Sequence, residues 1–279
     1  MKRSYGGGKM SNESHQKHGE ALERLLILRY APIAMKMLKS QEDIPPGALR
    51  PKEDMGMHLA LCQAFGMVRR QRKCLAMLKE DHWCVWPLIG FGLVEFEEGT
   101  DYYDLAVTAN FVEDPQKARE FFKNHYPLLE RDKYIGIVLS PLDTAEFEPD
   151  LVLIYCKPAQ LRSMLMAAKY KSGEIIKSEF DAVDSCVHST IPCLKTGSYR
   201  ITVPDPGEYE RGLTDEDEMI FSVPGEKLGE LVEGLEKLSA FGFGYKNLFM
   251  EMSTDFPRPK FYDDLFKMWG LDQGEIWKR

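Results

Sequence analysis

Apolar residues recur with two different periods along the chain, and these periods divide it into helices and strands. Leu228, Leu231, Val232, Leu235 and Leu238 fall at i, i+3, i+4, i+7 and i+10, which puts all of them on one side of a helix. Leu22, Leu25 and Leu26 follow helical spacing near the N-terminus, with Pro32 marking the exit. Leu61, Phe65 and Val68 do the same ahead of the basic run Arg69, Arg70, Arg72 and Lys73. Asp114 before Pro115 reads as a helix start, because the carboxylate accepts from free N–H groups and proline at the first position gives up none that is needed. Pro158 opens another helix, with Leu161, Leu165 and Ala168 on one face. Short apolar runs at 33–38 and 151–156 predict buried strands. The apolar stretch from Cys84 to Phe96, broken by Pro87, Gly90 and Gly92, predicts a strand with a bend. Between Tyr170 and Arg211 the glycines and prolines predict several turns.

Collected, the pattern predicts strands near 33–38, 84–96, 105–111, 134–142, 151–156, 199–203 and 219–223. Helices are expected near 16–29, 57–70, 115–125, 158–169 and 226–238. This is an α+β fold with a mixed sheet covered by helices. A polar, glycine-bearing tail over 1–15 lacks apolar periodicity and is expected to be disordered. The main domain then spans 16–240, followed by a proline-punctuated C-terminal extension over 241–279 with a short helix near Leu265.

Composition narrows the partners. The chain of 279 residues is 44% hydrophobic and 29% charged, the profile of a globular domain, and its formal charge of -8 argues against nucleic acid or an anionic membrane as partner. Its apolar runs fall far short of the roughly 20 residues that span a bilayer. Lys2 and Arg3 precede no apolar stretch, so no secretory signal is expected and the protein is placed in the cytoplasm. In that reducing compartment the six cysteines are expected to be free thiols or metal ligands rather than disulfides.

No GxGxxG, Walker loop, GxSxG or HExxH motif is present, and no CxxC pair offers a structural zinc site. The carboxylates from Asp215 to Glu218 lack the alternation of a calcium loop and read as a solvated turn. Attention turns to the thiols, half of which lie between Leu59 and Gly92 together with His82, Trp83 and Trp86. Cys62 on a helix, Cys84 at a strand start and Cys186 on a turn form a candidate set, brought together from distant segments around an iron–sulfur cluster or one soft metal. A metal-free reactive thiol and inert buried cysteines are the alternatives.

Several of these residues lie in motifs that resemble the uncharacterised prokaryotic family called domain of unknown function 169. The motifs are Ala31-Pro32-Ile33-Ala34-Met35-Lys36, Leu61-Cys62-Gln63, the stretch from Cys84 to Leu93, Lys157-Pro158-Ala159-Gln160-Leu161, Tyr170-Lys171-Ser172-Gly173, Ser185-Cys186, and Gly207 with Arg211. The resemblance runs from about Leu22 to Leu238 and favours Cys62, Cys84 and Cys186 over Cys74, Cys156 and Cys193. Where it implies a glycine-rich segment after the second cysteine, this chain has the bulkier Val85-Trp86-Pro87-Leu88-Ile89, which implies a specialised pocket.

The expected function is a cysteine-dependent redox or ligand-handling protein of anaerobic-type metabolism, acting on a small anionic substrate held by Lys36 and Arg211. Arginine offers a carboxylate a planar fork and lysine a point charge. The competing expectation is a non-catalytic binding protein whose pocket, lined by Trp83, Trp86 and methionine-rich segments, takes an aromatic or tetrapyrrole ligand.

Overall fold

The computed structural model describes residues 12–94, 107, 109, 111–245 and 261–270. Its centre is a six-stranded sheet of β1 (Ile33–Leu38), β2 (Leu75–Leu78), β3 (Gly136–Pro141), β4 (Leu151–Cys156), β5 (Arg200–Thr202) and β6 (Met219–Pro224), in the order β2-β3-β1-β4-β6-β5. β1 lies near the middle, with Ile33 opposite both Pro141 of β3 and Leu153 of β4. Every strand pairs antiparallel with its neighbours, and parallel pairing is confined to isolated bridges such as Leu49 with Leu75. The fold is α+β, as the periodicities predict, but the sheet is antiparallel rather than mixed, because strand direction depends on which strands pair and hydrophobic period does not record that.

Alternation along the strands divides the core in two. One face sends Ala34, Leu38, Val138, Val152, Ile154, Phe221 and Val223 against the helices α1 (Asn12–Leu26), α6 (Pro158–Ser172) and α9 (Leu228–Ala240). Leu228, Leu231 and Leu235, on the predicted apolar side of α9, are buried there. The other face sends Ile33, Met35, Met37, Leu75, Met77, Ile137, Leu139 and Ile220 against α3 (Leu61–Gln71), α4 (Val85–Gly90), α5 (Pro115–His125) and α7 (Ser185–Thr196). The short helices α2 (Pro51–Met55) and α8 (Pro206–Glu210) complete the body, and α10 (Phe261–Met268) supplies the short helix expected near Leu265.

Several expectations change. The strand expected at 84–96 is absent from its described residues, 84–94: Cys84 is the N-cap of α4, where Pro87 sits in the first turn and forfeits no internal hydrogen bond. A continuous apolar run carries no period, so periodicity could not separate buried helix from buried strand. The turns expected around Cys186 are one helix, α7, which tolerates Pro192 inside it and ends at Gly197 in the left-handed region. β2 has no counterpart among the expected strands, since Leu-Ala-Met-Leu lacks the β-branched and aromatic residues that mark them. The strand expected at 105–111 lies largely outside the described residues, and Val107 and Ala109 are helical. The N-terminal helix starts at Asn12, so the expected tail is too long by several residues: His15 is buried and reaches the Ala145 carbonyl at 3.1 Å. Among the described residues no helix is long and apolar enough to cross a membrane.

Candidate functional site

The three cysteines singled out in the sequence lie on helices of the second face of the sheet, each at a helix start, and Cys62 and Cys84 are near enough to Cys186 to act on it electrostatically. Cys62 is the second residue of α3, Cys84 the N-cap of α4 and Cys186 the second residue of α7. Cys62 and Cys186 are buried and Cys84 is partly so. The α3 and α4 ends are tied by Gln63, whose Oε1 accepts from the Ala60 N–H at 2.8 Å and from the Trp83 indole at 3.0 Å. The α7 end is tied by Asp205, whose carboxylate accepts from Ser185 N–H at 2.8 Å through one oxygen and from Glu208 N–H at 2.9 Å through the other. One side chain therefore caps two helices and fixes Cys186 relative to α8.

Arg211 follows α8 and acts on two of these cysteines, Cys62 and Cys84. Its guanidinium is in hydrogen-bonding contact with the Cys62 thiol, lies 5.5 Å from the centre of the Trp83 ring, and reaches Glu210 at 3.2 Å. Two glycines allow this. A side chain at Gly207 would stand 2.5 Å from the Arg211 guanidinium, and one at Gly66 of α3 would stand 2.7 Å from the Gly212 carbonyl, so both the arginine and its loop need that space.

Charge is unbalanced here. Burial pushes the Cys62 thiol up to about 12, with Glu208 and Asp205 adding to the rise and Arg211 opposing it. Cys186 is raised well above the usual thiol range by burial and then by Asp205, Cys62, Asp184 and Cys84. Cys84 is raised by burial, with Asp184 adding and Arg211 opposing. Desolvation followed by Asp205 and Asp181 brings Asp184 up to about 7, and desolvation followed by Asp205 brings Glu208 up to about 8. The thiols are therefore protonated at neutral pH, and the group is short of positive charge. Among the described residues, no three His, Cys, Asp or Glu side chains stand in a ready metal-ligand arrangement, so a metal would have to draw the sulfurs inwards.

Beside the thiols opens a cavity of about 460 Å³ with walls of Trp86, Phe111, Phe121, Phe122, Tyr126 and Phe180, and with Asp181, Asp184 and His188 at its polar edge. Tyr126 joins it to the thiols: its hydroxyl donates to the Trp86 carbonyl at 3.0 Å, and the phenol is raised well above its usual range by burial, then by Asp184, Cys186 and Cys84. Phe122 and Tyr126 stack with ring centres 4.1 Å apart, and His188 meets Tyr126 edge-on at 6.0 Å.

The other expected residues lie elsewhere. Lys36 does not join Arg211; it lines a separate polar cavity of about 820 Å³ with Lys133, Glu148, Asp150 and Lys195. The antiparallel register places it on β1 opposite Val138, and its charge acts on Asp150. Cys74 and Cys156 belong to the opposite core, and Cys193, about two turns along α7 from Cys186, opens on the Lys36 cavity. Trp86 lines the aromatic cavity, whereas Trp83 is exposed beneath Arg211 and the methionines of β1 and β2 are buried in the core. Asp184, Asp205, Glu208 and Tyr126 escape sequence reasoning, and His188 stands out in the sequence only as one member of a chemically mixed stretch. One signal was present: Asp205-Pro206 repeats the helix-start pattern of Asp114-Pro115.

Comparison with known proteins agrees with the motifs. Residues 21–234 match the model of domain of unknown function 169, described as uncharacterised ArCR, and the chain belongs to that family. An uncharacterised protein of Methanocaldococcus jannaschii is 24% identical over 227 residues, covering 79% of this chain and 93% of that relative. No solved structure matches the chain.

Proposed function

We propose that the protein is a cysteine-dependent redox or ligand-handling protein of a reducing cytoplasm, in which Cys62, Cys84 and Cys186 capture a soft metal or an iron–sulfur cluster. The observation that supports this reading is that three cysteines, each at a helix start, act on one another electrostatically among several acids and one arginine. Helix N-termini favour thiolates, and a soft cation supplies the positive charge that the group lacks. Binding would displace the thiol protons, which the raised pKa values make costly to remove in any other way. A free nucleophilic cysteine fits less well, because nucleophilic thiols need depressed pKa values. Arg211 would hold Cys62 in place as an outer donor, a different role from binding an anionic substrate together with Lys36.

The test is an absorption spectrum of protein purified without oxygen, or reconstituted with iron and sulfide. A broad visible shoulder lost in Cys62→Ser, Cys84→Ser and Cys186→Ser alike, but kept in Cys74→Ser, is the expected result. A spectrum without charge-transfer absorption, together with no uptake of zinc or iron by the wild-type protein, would sink the proposal. The aromatic cavity favours a second reading, a non-catalytic binding protein for an aromatic ligand, and a sharp intense band would identify a tetrapyrrole.

A further inference from the structure

The aromatic cavity has a polarity of its own. Its walls are largely aromatic, and its polar edge is acidic: Asp181 and Asp184 line it, and no Lys or Arg stands among its described lining residues. His188 supplies no charge, because burial lowers its pKa. Asp181 is already engaged, accepting from Val183 N–H at 2.9 Å and facing the His188 ring at 3.9 Å. Asp184 is not. It holds the N-cap position of α7 with φ of 52°, a left-handed conformation that turns it away from capping, and its side chain accepts nothing from that helix. Positively charged groups do stand beyond the cavity, in an adjoining depression that shares Phe121, Phe180, Asp181 and His188; they do not line the cavity itself, and their terminal nitrogens are turned to other groups while Arg200 Nε has no partner. Arg200 reaches the Glu179 carbonyl at 3.3 Å and its carboxylate at 3.7 Å, and Lys195 donates to the Leu128 carbonyl at 3.2 Å.

We propose that this cavity binds a small organic cation with an apolar or aromatic body, the charge resting against Asp184 and the ring faces. Ring faces carry negative electrostatic potential and attract a desolvated ammonium group, while a carboxylate without a donor gains a counter-charge. A neutral apolar molecule would fill the same space and leave Asp184 unanswered, and an anion would meet two carboxylates. The volume lies in the range of roughly 300–1,000 Å³ usual for small-molecule sites. The proposal rests on the cavity and is independent of metal capture by the thiols.

Three probes separate the alternatives: phenyltrimethylammonium, its neutral isostere tert-butylbenzene, and the anion benzoate. Each is titrated at pH 8, where Asp184 is ionised, into the full-length protein after chelator treatment, with binding read from tryptophan fluorescence, since Trp86 forms part of the wall. Phenyltrimethylammonium is expected to bind at least tenfold more tightly than tert-butylbenzene, and benzoate more weakly than either. Asp184→Asn should abolish the preference for the cation while leaving tert-butylbenzene affinity unchanged, because asparagine tolerates the left-handed backbone and keeps the shape. Equal affinity for cation and neutral isostere in the wild type, or an undiminished preference in Asp184→Asn, would overturn the proposal. The Cys186→Ser variant should retain the preference whether or not the thiols bind metal.

Discussion

Two buried charged groups lie on the same side of the sheet and are built in opposite ways. Around Arg69 the charges are matched: its side chain is fully buried, both terminal nitrogens reach Glu218 at 2.9 Å, one also reaches Thr214 at 3.2 Å, and the guanidinium lies 4.0 Å from the centre of the Tyr155 ring. Around Cys186 they are not: Asp184, Asp205 and Glu208 approach three thiols with Arg211 as the nearby cation, and desolvation raises the titrating groups. Glu208 belongs to both, accepting from the Tyr155 hydroxyl at 2.9 Å while burial and Asp205 hold its pKa up. The difference teaches which group serves folding. A matched buried pair fixes α3 against the 214–218 segment, whereas a mismatched group persists at a cost and points to a bound partner.

The largest effect is expected where matching is broken. Removing one member with Glu218→Ala or Arg69→Ala should cost about 3–5 kcal/mol, because the survivor is left as an unpaired buried charge. Urea unfolding measures this, and a loss under 1 kcal/mol would show that water enters and that the two groups differ less than their geometry says.

A smaller, pH-dependent effect is expected at Asp184. Its folded pKa of about 7 lies above the ordinary carboxylate value, so between about pH 4 and 7 the folded state holds a proton that the unfolded chain has released. This contribution to stability is full below the unfolded pKa and is lost as pH rises through the folded one. His82, lowered to about 4 by burial, acts in the opposite direction below pH 6.5, so the informative quantity is the difference between wild type and Asp184→Asn. Relative to wild type, Asp184→Asn should be more stable at pH 8 than at pH 5, and a difference that does not change with pH would place Asp184 among the matched charges.

The smallest effect is expected at Cys84, which is partly exposed and packs at the start of a short helix. Cys84→Ser should shift stability by no more than about 1 kcal/mol, since serine is itself a good N-cap. A loss approaching that of Glu218→Ala would make Cys84 a structural residue and remove one member of the unmatched group.

Local physics explains what could be read without the structure. The α9 stripe, the double-sided runs of β1 and β4 and the Asp114-Pro115 start depend on residues within one or two turns of each other, and each is found where the pattern put it. The helix at 85–90 could not be read, because its form is set by contact with α7: a side chain at Gly90 would meet Val187 and Ile191 at 3.0 Å. The glycines and prolines between Tyr170 and Arg211 argued for turns, and burial of Val187 and Ile191 outweighs the hydrogen bond that Pro192 forgoes.

The same division holds for the site. The sequence by itself determined the α+β class, the main amphipathic elements, the family and the three cysteines inside its motifs. Only the tertiary structure decided that Arg211 turns to Cys62 while Lys36 faces another cavity, and that Asp184, Asp205 and Glu208 gather around the thiols. Hydrophobic period is a property of neighbours in the chain, whereas a charge takes its meaning from groups far along the chain that folding brings within a few ångströms and shields from water.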